Sequence, residues 1–427
     1  MSDTAAAEAP SPSVRSLLIM AVPAILVGVG SALVLWLLDL MSEGLQHILW
    51  TTLPQSFGAT EATPWWIFTV LTVTGAAVGL VIWSVPGHAG PDSATTELVE
   101  APLRPGVLPG LLLATVIGLA GGVSLGPENP IIAVNSALAV ALLARFVKAI
   151  PLPLAMMLAS SATIGALFGT PIAAALLFTG AVAAAKGGGA LWDKLFLPVA
   201  AAGAGAVTMH LLGGKALSFQ VTPIDQTDGW MLLWGLLVAA ASALIGILLA
   251  WALPYVHRGF HALRNPLLIS LAGGVVLGLL GMWGGPMTLF KGLDETTELL
   301  RHPGDYSAGQ LALFAGVKVL ALLVAAAAGF RGGRIFPAVF IGVALGVLAH
   351  VLFPGIPLSL AIACGCLGIV LAATRDGWIA IFLGAALVGD PVVLPMLCII
   401  VLPVWLMVTK APELVVHAQP ESAAAKA

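Results

Sequence analysis

Apolar runs follow one another almost without pause along this chain, and many are too short and too broken to be ordinary membrane spans. They cover approximately residues 17–40, 65–84, 107–125, 131–150, 152–185, 195–213, 230–253, 267–290, 309–329, 335–353, 356–373, 377–388 and 391–409. A full helical span needs about 20 residues, and several of these runs fall short of that. Gly and Pro interrupt the series at Gly169-Thr-Pro171, Gly284-Gly-Pro286, Gly332-Gly333 and Asp390-Pro391. Half-helices that meet at mid-membrane account for such a pattern. Irregular backbone survives in a bilayer only where protein buries it or where it lines a wet cavity.

Composition fixes the class. The chain is 59% hydrophobic and 9% charged, against about 45–50% and about 25% in soluble domains. Mean hydropathy is +1.06. Ala and Leu dominate and β-barrel alternation is absent. The expectation is an all-α polytopic membrane protein of many short, tilted and broken helices. A net charge of −3 argues against a nucleic-acid partner. Cys364, Cys366 and Cys398 sit in apolar runs without a partnering ligand motif, so they read as small buried hydrophobes. The sequence points to no metal and no cofactor.

The most unusual stretch is Gly118-Leu-Ala-Gly-Gly-Val-Ser-Leu-Gly-Pro-Glu-Asn-Pro130. One carboxylate, Glu128, lies between Pro127 and Pro130, after a run of glycines ending at Gly126. An ionisable group at mid-bilayer costs at least about 2.5–3.5 kcal/mol and is functional by default. A helix should end before Gly126 and another begin near Pro130. The stretch Gly329-Phe-Arg-Gly-Gly-Arg-Ile-Phe-Pro337 repeats the plan, with Gly332 and Gly333 before Pro337.

The two stretches belong to an internal repeat. Ala137, Leu138 and Val140 recur as Ala344, Leu345 and Val347, 207 positions later, and Ile150-Pro-Leu-Pro-Leu-Ala155 recurs as Ile356-Pro-Leu-Ser-Leu-Ala361, 206 later. Membrane repeats commonly have inverted topology and hold their site at the interface. We therefore expect a disordered tail over 1–14, a first membrane repeat over 15–214, a connection over 215–229, a second repeat over 230–410 and a tail over 411–427. Helices beginning near Pro130 and Pro337 would turn N–H groups and partial positive charge toward one point, an anion site. Arg331 and Arg334 either strengthen that attraction or anchor at headgroups. Asp294, Glu295 and Glu298 read as a solvated loop face. His210, His261 and His350 read as lone structural residues.

Gly126-Pro-Glu-Asn-Pro130 resembles the G-[KR]-E-G-P motif of the CLC family of chloride channels and proton-coupled anion antiporters. Gly333-Arg-Ile-Phe-Pro337 resembles that family's G-x-F-x-P, and Gly87-His-Ala-Gly-Pro-Asp92, more loosely, its G-S-G-I-P-E. The resemblance covers about residues 15–410 and is nearest to a bacterial branch described only as ion-transport proteins. It implies anion translocation, chloride-like and extending to other halides or nitrate, in a homodimer of the inner (cytoplasmic) membrane with both termini cytoplasmic. It makes Glu128 the gating glutamate. Backbone N–H groups of Arg334, Ile335 and Phe336 would bind the central anion, and those near Glu128, at Asn129, the outer one. His88 stands where the family's coordinating serine is expected.

The departures limit what carries over. Pro127 replaces the motif's basic residue and Asn129 its second glycine. Asp390 takes the place of the coordinating tyrosine, and the chain has only Tyr255 and Tyr306. Phe178-Thr-Gly-Ala181 covers the region of the antiporters' inner glutamate without a carboxylate, which favours passive conduction over proton exchange. Two other classes compete: an intramembrane acid–base enzyme using Glu128, His88 or Asp390, which lacks any paired catalytic motif, and a non-conducting scaffold or sensor derived from a transporter. The expectation is a transporter and not an enzyme.

Overall fold

The computed structural model describes residues 14–147, 150–184, 190–214, 219, 221–224 and 228–417. Most of the expected 215–229 connection, and the tails over 1–13 and 418–427, lie outside the described residues. Everything described is helical or connecting backbone, apart from one isolated bridge.

The first half opens with α1 (Val14–His47), which continues through a π turn into α2 (Leu53–Ser56). α3 (Pro64–Ser84), α4 (Leu108–Ala120), α5 (Glu128–Phe146), α6 (Leu152–Phe168), α7 (Pro171–Ala184) and α8 (Leu191–Leu211) follow. The second half comprises α9 (Gly229–His261), α10 (Pro266–Gly284), α11 (Leu293–Arg301), α12 (Ala308–Ala327), α13 (Ile335–Leu352), α14 (Leu358–Thr374), α15 (Gly377–Val388) and α16 (Val393–Val408). Among the described residues, eight helices are long and apolar enough to cross a membrane. α4, α6, α7, α14, α15 and α16 are shorter apolar helices. Exposed Phe146, Leu211 and Leu406 present the apolar surface that a bilayer covers.

The halves repeat around their breaks. α5 and α13 start 207 positions apart; α6 and α14, and likewise α7 and α15, start 206 apart. Packing repeats too: α1 contacts α4 and α6, as α9 contacts α12 and α14. Equivalent elements also meet each other. α3 packs on α10 and α7 on α15, as a pseudo-two-fold axis between the halves requires.

Small residues let these helices approach closely. A methyl group on Gly75 of α3 would lie 2.4 Å from the Ser270 carbonyl oxygen of α10, an approach only glycine allows. Gly75 meets Ser270 and Gly274, while Gly79 meets Leu267, so α3 and α10 run antiparallel. Gly235 meets Leu360 and Cys364, and Gly246 meets Ile369 and Ala372, so α9 and α14 run parallel. The C-terminal ends of α3, α9 and α14 therefore share one face of the bundle. The C-terminal end of α1, joined through α2 to the start of α3, lies at the other.

Three expectations need correction. Cys364 and Cys366 are buried, but Cys398 is exposed on α16, where apolar lipid suits a thiol as well as a core does. Glu295 is half-buried on α11 rather than on a solvated face. Proximity to the buried ammonium of Lys318 gives it a counter-charge. His261 is not alone: its ring stacks on His257 at 3.8 Å between centroids.

Candidate functional site

α4 stops at Ala120 because Gly121 and Gly122 end it. Gly122 has φ +89°, a conformation open to glycine and costly to other residues. The Trp50 indole N–H donates to Ala120 O at 2.9 Å, satisfying a carbonyl left free at the helix end. α12 stops in the same way, before Gly329 at φ +78°. After each break the chain runs irregularly to a new helix. α5 begins at Glu128 and α13 at Ile335, so Pro130 and Pro337 each occupy the third helical position. A first-turn proline forfeits no intrahelical bond. Both breaks are interior, since every residue over 118–132 and 324–344 is buried.

The breaks are joined on the axis. Gly126 N–H donates to Gly333 O at 2.9 Å, and Gly333 N–H donates to Gly126 O at 2.6 Å. These glycines are themselves 207 positions apart. Beside this bridge lies the Glu128 side chain, fully buried. Its Oε1 accepts the Phe336 backbone N–H at 2.8 Å; Oε2 has no partner among the described residues. A methyl group at Gly126 would lie 2.2 Å from Oε2 and one at Gly333 2.0 Å from it. The carboxylate is thus folded back between two bare Cα atoms, against the N-terminal turns of α5 and α13.

The arginines are loop clamps. Both are only 7% exposed, which rules out headgroup anchoring. Arg331 donates from Nε to Ala89 O at 2.9 Å and from Nη2 to His88 O at 2.8 Å. Arg334 donates to Leu414 O, and to Thr96 O at 2.7 Å. Asn129 Nδ2 reaches Thr96 O and Glu97 O, both at 3.4 Å. These side chains tie the 88–97 segment and the chain near 414 to the two breaks.

His88 stands away from the expected position. Its ring is exposed, and Nδ1 is engaged with Ile82 O at 2.9 Å. Ser93 meets the second break instead: Oγ donates to Gly332 O at 2.8 Å, and its N–H to Phe330 O at 3.2 Å. Sequence reasoning passed over Ser93 because it follows the motif proline. Asp390 is buried, and its carboxylate is spent on backbone: Ile224 N–H at 2.8 Å and Val392 N–H at 3.0 Å. It fixes the turn before α16 to the chain at 224.

Lys318 was missed as well. It is fully buried on α12, and its ammonium donates to Leu289 O, to Phe290 O at 2.8 Å and to Thr288 O at 3.3 Å. Phe290 N–H in turn donates to Gly122 O, so Lys318 braces the first break through the 288–290 segment. A lone lysine inside an apolar run was the available signal.

Two cavities approach the bridge. One, of about 180 Å³, is lined by Asp39 and Glu43 of α1, by Lys291, and by Pro127 and Phe336 beside the carboxylate. The other, of about 570 Å³, is lined by Asn129, Arg334 and Ile335 at the site and by Thr374 and Arg375 farther out. The first borders the C-terminal part of α1 and the second the C-terminal end of α14, so they open toward opposite faces.

This arrangement of broken, inverted helices is the fold of a CLC-type transport protein. A slow cyanobacterial Cl⁻/H⁺ antiporter superposes with TM-score 0.76 at 19% identity, covering 92% of this chain and 95% of that one. A CLC-type fluoride/proton antiporter superposes with TM-score 0.71 at 19% identity, covering 94% and 98%. Residues 74–407 match the family described as Voltage gated chloride channel, and the chain belongs to that family. A protein of Escherichia coli O6:H1 (strain CFT073) named "Putative ion-transport protein YfeO" is 46% identical over 408 residues, covering 96% of this chain and 97% of that protein. The chain is accordingly a multi-pass membrane protein of a family of anion channels and antiporters.

Proposed function

We propose that this protein moves a small, chloride-like anion across the bacterial inner membrane along the line joining the two cavities, with Glu128 as its gate. The observation that carries the reading is the Phe336 N–H bond to Glu128 Oε1. A negatively charged oxygen there occupies the place where two helix N-termini favour an anion. Protonation neutralises the carboxylate and lets it leave, and the backbone N–H groups of Arg334, Ile335 and Phe336 then become available to the permeating ion. His88, exposed and engaged elsewhere, has no part in this path, and Asp390 serves as a backbone clamp.

The absence of a carboxylate over 178–181 favours passive conduction over obligatory proton exchange. Each subunit of a homodimer would carry its own path, with both termini cytoplasmic. The test is anion efflux from liposomes across a pH series with chloride, nitrate and fluoride. Efflux should accelerate as pH falls, and Glu128→Gln should be fast and insensitive to pH. No efflux of any of these anions at any pH would sink the reading and favour a non-conducting sensor. The reversal potential under a proton gradient separates conduction from exchange.

A further inference from the structure

Asp92, His257 and His261 form a cluster outside the Glu128 site. Asp92 lies just after Pro91 in the loop following α3, and the histidines occupy successive turns at the C-terminal end of α9. Spacing of four residues puts both imidazoles on one helix face. His257 Nε2 stands 3.1 Å from Asp92 Oδ2, and His261 Nε2 stands 3.4 Å from the same oxygen. One ligand atom from each of the three residues lies within 4.8 Å of the others.

His261 Nδ1 is bonded to the His257 carbonyl oxygen at 3.0 Å. A carbonyl only accepts, so Nδ1 carries the hydrogen, and in the neutral ring Nε2 holds a bare lone pair. That lone pair faces a carboxylate oxygen. At 3.4 Å the two are held together only by a positive charge between them, either a proton on Nε2 or a metal ion. An Nδ1–H held by a backbone carbonyl is also the usual way a metal-binding imidazole is oriented.

We propose that Asp92, His257 and His261 bind a divalent cation of borderline softness, with Zn²⁺ as its representative, and leave a fourth position to water. Zinc–nitrogen and zinc–oxygen distances of about 2.0–2.1 Å place tetrahedral ligand atoms about 3.3–3.4 Å apart, close to the two separations between Asp92 and the histidines. Two imidazoles select against Mg²⁺ and Ca²⁺, which require oxygen ligands. The site is reachable, because the His261 side chain is 36% exposed while Asp92 and His257 are 13% exposed. A bound ion would tie α9 to the loop whose next residue, Ser93, donates to Gly332 O. It would thereby link the second half of the chain to the segment that supports the anion path.

The experiment is titration of Zn²⁺ into the purified full chain, with heat release and thermal unfolding as readouts. One Zn²⁺ per chain and a raised Tm are expected, unaffected by millimolar Mg²⁺ or Ca²⁺. Removing a residue that only orients a metal ligand costs about 10–100-fold in metal affinity, so His257→Ala or His261→Ala should cost more than about 100-fold. Each variant should retain the Tm of the metal-free wild type, which separates lost binding from lost folding. His350→Ala, whose ring bonds Ile356 O, should bind as wild type. Co²⁺ should give the absorption of a tetrahedral site in wild type only. Equal Zn²⁺ binding by wild type and by the His257→Ala/His261→Ala double variant overturns the proposal. So does wild type without Zn²⁺ uptake, in which case the cation between the rings and the carboxylate is a proton.

Discussion

Gly126 and Gly333 donate to each other's carbonyl oxygens across the interface between the two halves. Equivalent residues can pair reciprocally only on the axis that relates them. The bridge therefore holds the two irregular breaks in register and sets the Glu128 carboxylate against the first turn of α13. The glycines are required because a side chain at either would meet that carboxylate.

Gly333→Ala tests this fit. The added methyl would lie 2.0 Å from Glu128 Oε2, but it meets the end of a side chain that can rotate away. The expected outcome is an expelled carboxylate with the fold retained. Efflux should then lose most of its pH dependence, as in Glu128→Gln, while stability changes by less than the 1–3 kcal/mol typical of overpacking a rigid core. A wild-type pH profile in this variant would mean that the carboxylate does not need the cradle.

Lys318→Met should be strongly destabilising. It preserves length but removes an ammonium that donates to three backbone carbonyls. Hydrogen bonds to charged groups contribute about 1.5–3 kcal/mol each, and the stranded carbonyls add a desolvation cost. Thermal unfolding should show a fall in Tm of several degrees or more. Protease cleavage near 288–290 should rise, because that segment loses its brace.

Asp390→Ala should weaken the protein without altering anion preference. Two backbone N–H bonds to a carboxylate are lost, at about 1.5–3 kcal/mol each, so a lower Tm is expected with unchanged chloride-to-nitrate efflux ratios. Altered selectivity would put Asp390 in the anion path.

Ser93→Ala removes the hydroxyl that holds Gly332 O. A loss of about 1 kcal/mol follows from one buried hydrogen bond. Because the Ser93 side chain holds the second break while His88 meets it only through its backbone carbonyl, Ser93→Ala should change the efflux rate more than His88→Ala. The comparison is made in the same liposomes at one pH.

Much of this architecture was legible in the chain. The offsets of 207 and 206 found among Ala, Leu and Pro positions are the offsets between the starts of α5 and α13 and of α6 and α14. Broken apolar runs mark helix ends because glycine and proline act locally. What escaped depends on contacts between distant positions. Asp390 meets Ile224 across 166 residues, and Arg334 meets Thr96 across 238. No local pattern announces a carboxylate or guanidinium that will be spent on backbone. The Asp92–His257–His261 cluster was hidden for the same reason. Only the fold brings the loop after α3 to the end of α9.

The residue 207 positions after Glu128 is Ile335. The two helix starts thus share a backbone plan while only one of them carries a group that can take up a proton. The frame is shared by both halves and the titratable group belongs to one. If Glu128 gates the path as proposed, sensitivity to acid enters through one half of the chain alone. Symmetry of the backbone does not carry symmetry of chemistry with it.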